Sequence, residues 1–178
     1  MTIWEFAANY ELERVKAWAA TDLFNLQSIV NYLGSAEKIY ICGNGGSAAI
    51  ANHWACDAMK ANDHDVESLC ANQSVLTMLA NDFGYDSVFD SQLKRKIDRF
   101  DAVILISSSG KSPNVIRACE TANKAKVTTI SLTGFSGGPL RAMSKYNIHV
   151  PSENYGIVED IHHSIMHIIA QHLAAPRA

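Results

Sequence analysis

The sequence has no excess of lysine and arginine. Its 15 basic side chains are outnumbered by 18 acidic ones, for a formal net charge of −3. A chain so balanced offers no cationic surface to the phosphates of nucleic acid or to an anionic membrane. Its four cysteines, Cys42, Cys56, Cys70 and Cys119, contain no C-x-x-C pair and no paired framework, the usage expected of reduced, mostly core cysteines in a cytoplasmic protein. No basic-then-apolar leader opens the chain, and no apolar run approaches the roughly 18 residues of a membrane span. Low-complexity segments, linkers and internal repeats are also missing. These absences predict a cytoplasmic protein with neither nucleic acid nor membrane as a partner.

What is present is 178 residues, 48% hydrophobic and 19% charged, enough to bury a core without disulfide or metal staples. We expect one domain over 1–178, with a helical segment at 1–34 and an α/β core at 35–174. Between Ile3 and Leu33 neither Gly nor Pro occurs, and Leu12, Val15, Ala19, Leu23, Leu26, Val30 and Leu33 recur at the spacing of an amphipathic helix. Thr21-Asp22 predicts a cap that divides this segment in two. Trp4, Phe6, Trp18 and Phe24 add more apolar area than one helix stripe buries in a monomer, which leaves core packing and a helical oligomer interface both open.

Beyond Gly34 strands and helices alternate. Strands are expected over 38–42, 66–69, 102–106, 127–132 and 147–150, and helices over 47–60, 73–80, 86–97, 112–124 and 157–173, with a loose end after Leu173. The continuous apolar run Ala102-Val103-Ile104-Leu105-Ile106 suits a strand buried on both faces, and the alternation predicts βαβ units in a parallel sheet.

Two strand-to-helix turns suit an anion. The first is Cys42-Gly43-Asn44-Gly45-Gly46-Ser47 and the second Ser107-Ser108-Ser109-Gly110-Lys111-Ser112, followed by Pro113. Glycine-rich and serine-rich turns at helix starts point backbone N–H groups and hydroxyls at oxyanions. Gly110-Lys111-Ser112 is not a Walker A motif, because that motif needs glycine where Leu105 stands. Gly43, Gly45 and Ala48 satisfy a relaxed dinucleotide fingerprint, with Asp65 and Glu67 about 20 residues on. A helix carrying His53 and Asp57, and a second phosphate-suited turn, argue against that cofactor.

His53 and Asp57 are four residues apart and share a helix face. Glu159, His163 and His167, also spaced by four, fall within about 80° of arc on the last helix, with His162 on the neighbouring face. Imidazoles and carboxylates so arranged suit a Zn2+ or similar ion, or shared acid–base work, or a solvated polar face.

Taken together, Cys42–Ser47, the helix with His53, Asn81-Asp82-Phe83-Gly84, Ser107–Gly110 with Ser112, Leu132-Thr133-Gly134 and the last helix ending in His167 resemble the sugar isomerase (SIS) domain family, of the sedoheptulose-7-phosphate (phosphoheptose) isomerase type. The resemblance implies a flavodoxin/Rossmann-like three-layer α-β-α sandwich around a five-stranded parallel sheet, and a homotetramer joined through the N-terminal helices with active sites at subunit junctions. It implies aldose–ketose isomerisation of a sugar phosphate by way of an enediolate, for nucleotide-heptose, lipopolysaccharide or capsule synthesis. It assigns the phosphate to Ser47, Ser107, Ser108, Ser109 and Ser112 beside Gly45 and Gly46, and the sugar chain to Asn44 and Asp82. The base and acid fall on Asp57 and His167. Zinc would be held by His53, Asp57, Glu159 and His167, with Glu159 also among the substrate-binding residues, and no nucleotide cofactor is implied. Four features depart from the family pattern: Asp57 stands for a glutamate and Glu159 for a glutamine, a sugar-contacting aspartate is missing from 154–158, and no arginine follows Asp57. His163 is an additional candidate ligand or base. Some relatives with this fold bind a replication initiator without catalysis, so a non-catalytic sugar-phosphate or protein-binding role is the alternative.

Overall fold

Each apolar run that reads as a strand is one, and the runs lie parallel. The computed structural model describes residues 1–62 and 64–175. Strands β1 (Lys38–Gly43), β2 (Asp65–Ser68), β3 (Ala102–Ser107), β4 (Thr128–Thr133) and β5 (Tyr146–His149) form one sheet in the order β2-β1-β3-β4-β5. All its pairings are parallel. Every position of β3 and β4 is buried, as central strands covered on both faces require.

On one face lie α3 (Gly46–Asn62) and α8 (Tyr155–Ala174), with α1 (Ile3–Ala19) and α2 (Leu26–Leu33) packed against α8. The opposite face carries α5 (Asp90–Leu93), α6 (Pro113–Lys124) and α7 (Gly138–Met143), while α4 (Gln73–Phe83) leads into a 3-10 turn at Tyr85–Ser87. This is the three-layer α-β-α sandwich. Trp54 and Phe89 are its largest fully buried side chains. Cys42, Cys70 and Cys119 are buried and Cys56 is exposed, all four as free thiols; burial pushes the three buried thiols up in pKa. No helix among the described residues is long and apolar enough to cross a membrane.

Three local expectations are corrected. The first helix does break near Thr21-Asp22, but α2 starts only at Leu26 after Asn25. Asp22 accepts a hydrogen bond from Phe24 N at 2.9 Å, an Asx-type turn that replaces a cap. The expected helix over 86–97 is reduced to the 3-10 turn and the short α5, with Val88, Phe89 and Leu93 buried in the core. Unforeseen α7 grows from Gly138-Pro139, where a glycine–proline pair reads as a turn but also suits a first helical turn. The last helix extends through Ala174, and of the loose end expected beyond it, 176–178 lies outside the described residues.

Candidate active site

Strand order reverses between β1 and β3, neighbours in the sheet whose chains leave in opposite directions, β1 through α3 to β2 and β3 through α6 to β4. Gly43 and Ile106 are paired at their carboxyl ends. The two anion-suited turns therefore open side by side at the switch point of the sheet, where parallel α/β folds bind ligands. Between them is a cleft of about 120 Å³ lined by Asn44, Ser47, Ser107, Ser108, Ser109, Ser112, Tyr155 and Glu159, with Ile106 at its floor.

The serine turn is tightly self-braced. Gly110 N donates to Ser107 O at 2.9 Å and to Ser107 Oγ at 3.2 Å, and Lys111 N donates to Ser109 Oγ at 3.2 Å. Ser112 occupies the N-cap of α6 without capping it; its hydroxyl accepts from Ser107 Oγ at 3.2 Å and so remains turned to the cleft. Ser108 is 5% exposed, and its Oγ has no hydrogen-bond partner among the described residues. A buried hydroxyl left without a partner is costly unless a ligand satisfies it. The helix starts at Gly46 and Pro113 add the partial positive charge that favours an anion there.

The glycine turn is held from outside. Asn44 and Asn114 form a reciprocal amide pair, each Nδ2 donating to the other's Oδ1 at 2.9 Å, and Tyr85 OH donates to Asn44 Oδ1 at 2.9 Å. Asn44 lines the cleft while fully engaged. Gly45 is in the left-handed region at φ +54°. Gly46 faces the Glu159 carboxylate so closely that any Cβ there would overlap it. Glu159 is half-buried, and burial, followed by neighbouring Asp160, raises its pKa. Asp82 sits exposed near the end of α4, accepting from Asn81 Nδ2 at 2.8 Å.

Helices α3 and α8 run side by side away from the cleft, Gly46 opposite Glu159, His53 opposite His163, and Asp57 opposite His167. His53 Nδ1 lies 3.2 Å from His163 Nε2, His53 Nε2 lies 3.5 Å from Asp57 Oδ1, and His167 Nδ1 lies 3.0 Å from Asp57 Oδ2. The rings of His163 and His167 stack with centroids 4.4 Å apart. Burial, then the positive charge that His167 and His53 could carry, lowers the pKa of His163 and favours its neutral form. Asp57 and His167 also border a second hollow of about 320 Å³ with Lys60, Ala170, Gln171 and Ala174. Thus the fold brings His53, Asp57 and His167 together, the grouping the family resemblance implied, with the additional candidate His163 beside them. Glu159 stands a turn earlier on α8, in the serine cleft.

His162, next to this group in sequence, points the opposite way. It is fully buried, its Nε2 3.2 Å from Thr133 O, and burial pushes its pKa down to about 4. Asp65 and Glu67, the acids at dinucleotide spacing, are engaged by lysines: Lys38 Nζ lies 3.2 Å from Asp65 and 3.4 Å from Glu67, and Lys96 also pairs with Glu67. Sequence reasoning missed Asn114, Tyr85 and Tyr155. Asn114 follows Pro113 in a helix start already read as phosphate-suited, and that position was the only available signal.

A SIS domain model matches residues 9–134. The phosphoheptose isomerase of Mycobacterium tuberculosis (strain CDC 1551 / Oshkosh) is 39% identical over 158 residues, covering 84% of this chain and 80% of that protein. The phosphoheptose isomerase of Helicobacter pylori (strain P12) is 36% identical over 146 residues, 79% of this chain and 76% of its own. Among solved structures, phosphoheptose isomerase from Neisseria gonorrhoeae superposes with a TM-score of 0.90 at 29% identity, covering 97% of this chain and 99% of that one.

Proposed function

The chain belongs to the SIS domain family and is a sugar phosphate isomerase, and from that premise we propose that it interconverts sedoheptulose 7-phosphate and D-glycero-D-manno-heptose 7-phosphate. The observation that carries this reading is the continuity of the site: the serine cleft and the Asp57–His167 pair lie along one pair of helices, α3 and α8. A phosphate held between the helix starts, with Ser47, Ser107, Ser108, Ser109 and Ser112 around it and backbone at Gly45 and Gly46, would direct the sugar chain along α3. Ser47 and His53 are six helical residues apart, about 9 Å along the axis. An extended seven-carbon chain places its carbonyl end roughly 10 Å from phosphorus, at the level of His53 and one helical turn short of Asp57 along the axis. Asn44 and Asp82 are the proposed contacts to the sugar hydroxyls.

Aldose–ketose conversion moves a proton between C1 and C2 through an enediolate. In our reading the Asp57 carboxylate takes and returns that proton. His167, its Nδ1 3.0 Å from Asp57 Oδ2, protonates the carbonyl oxygen. Fixing the phosphate end holds the reacting carbons against both groups. The donors His53, Asp57 and His167, with Asp57 3.5 Å from His53 and 3.0 Å from His167, fit a zinc ion. Such an ion when bound polarises the carbonyl and stabilises developing negative charge. We assign the whole of 1–178 to one SIS domain, with 35–174 as its catalytic core, and place the reaction in nucleotide-heptose synthesis for lipopolysaccharide or capsule.

The test is an NMR assay of ketose-to-aldose conversion over a panel of C5–C7 ketose phosphates with zinc supplied. The reading expects turnover greatest on the seven-carbon substrate. It also expects a loss of at least about 10²-fold in Asp57→Asn and His167→Ala, both of which still bind the sugar phosphate. Wild-type protein that turns over none of the panel overturns it.

A further inference from the structure

The side chains that this fold gathers into a ligand cage are not the four that the family pattern would select. We propose that the divalent ion is held by three imidazoles and one carboxylate, His53, His163, His167 and Asp57, and that Glu159 is no ligand but part of the wall of the sugar-phosphate cleft.

His53, His163 and His167 each offer a ring nitrogen, and these atoms all lie within 4.8 Å of one another. Asp57 closes the group, one oxygen 3.5 Å from His53 Nε2 and the other 3.0 Å from His167 Nδ1, while His163 Nε2 is 3.2 Å from His53 Nδ1. Tetrahedral ligands about 2.0–2.1 Å from a zinc ion are themselves roughly 3.3 Å apart. The contacts run through both ring nitrogens of His53 and both oxygens of Asp57, and the three imidazole nitrogens lie within 4.8 Å of one another, so an ion would draw one atom of each residue inward by side-chain rotation. Three imidazoles with one carboxylate also make a nitrogen-rich set suited to zinc. Glu159 belongs elsewhere: its carboxylate packs against Gly46 and lines the cleft of Ser47, Ser107, Ser108, Ser109 and Ser112. His163 is one helical turn beyond it on the same face, so the ligand shifts from position 159 to 163 without any change of fold.

This inference depends on the proposed function only for the presence of an ion. The whole chain, loaded with zinc, is examined by X-ray absorption, which counts imidazoles around the metal without any substitution. Cobalt(II) titrations of the wild type, His163→Gln and Glu159→Gln follow affinity through the visible ligand-field bands, with circular dichroism to confirm folding. Expected are three imidazoles per zinc, a loss of at least about tenfold in cobalt affinity with an altered spectrum for His163→Gln, and an affinity and spectrum near wild type for Glu159→Gln; even outer-shell partners of metal ligands typically contribute 10–100-fold. Two imidazoles, or a cobalt site lost in Glu159→Gln and kept in His163→Gln, overturns the inference, as does a chain that binds neither ion. Isomerisation by the wild type is scored separately. Turnover with a two-imidazole centre would sink the ligand set alone, and a three-imidazole centre without turnover would sink the substrate reading alone.

Discussion

The amide of Asn44 leaves little to chance. Its oxygen accepts from Asn114 and Tyr85, and its nitrogen donates back to Asn114, so the glycine turn is braced from α6 and from the corner after α4. Asn114 is 1% exposed, and its Oδ1 also accepts from Val115 N at 3.0 Å. Truncating it in Asn114→Ala leaves the half-buried Asn44 amide short of partners, which costs on the order of 1 kcal/mol. A urea melt should show that loss together with a raised KM for the sugar phosphate, while Asn114→Asp, which keeps the acceptor, should fall between. Unchanged melting and KM would remove Asn114 from the site. His162 makes a different prediction. Its folded pKa of about 4 lies below the ordinary histidine value of about 6.5. The unfolded chain therefore binds the extra proton first. The contribution is fully present above pH 6.5 and is lost as pH falls toward 4, reaching about 3 kcal/mol at most. Urea melts from pH 7 to pH 4.5 should show this loss, and His162→Gln should flatten the profile; equal slopes in both proteins would refute it.

Elements were readable in the sequence where one local signal dominated. The run Ala102–Ile106 could be little other than a buried strand, and the four-residue spacings of His53 with Asp57 and of Glu159, His163 and His167 placed those side chains on common faces. What spacing could not supply was the register of α3 against α8, which decides that His163 rather than Glu159 meets His53. Nor could local pattern foresee that the 86–97 segment would break with Val88, Phe89 and Leu93 buried, or that Asn114 would reach 70 residues back to Asn44. These are tertiary contacts, and local periodicity carries no record of them. The serine turn makes the point testable. Gly110 has φ +65°, and a Cβ there would overlap the Gly137 carbonyl, while Leu140 N donates to Gly110 O at 3.2 Å. The turn between β3 and α6 is thus clamped to the start of α7. Gly110→Ala combines a strained backbone with a clash against main chain, each worth about 1–3 kcal/mol. It should lower the melting temperature by several degrees or more and weaken phosphate binding. By contrast, Gly46→Ala meets only the movable end of Glu159 and should fold nearly as well as wild type. Calorimetry on the pair decides, and equal melting temperatures would show that the clamp is not rigid.

For the whole molecule, the informative surface is α1. Its inner side is tied to α8 through Tyr10 OH, which donates to Asp160 Oδ2 at 2.6 Å. Away from that tie, Trp4, Ala8, Leu12 and Val15 fall within about 80° of arc, and Trp4 is 81% exposed, Leu12 52% and Val15 55%. Phe24, in the connection from α1 to α2, is 89% exposed. The core-packing reading of these helices holds, since Ala17, Ile29, Val30 and Leu33 join the core, and the outer stripe is the surface we propose for another copy. Burying that stripe is worth roughly 25 cal/mol per Å² before association entropy is subtracted, enough to favour a closed assembly if several copies contribute. The proposal is a tetramer in solution. Trp4→Asp with Leu12→Asp should reduce the sedimenting mass to monomer or dimer while far-UV circular dichroism stays native, because neither side chain belongs to the core. If active sites lie at subunit junctions, isomerisation should fall with dissociation and recover as protein concentration rises. A wild-type chain that sediments as a monomer at every concentration would leave the stripe without a partner of its own kind and the tetramer proposal without support.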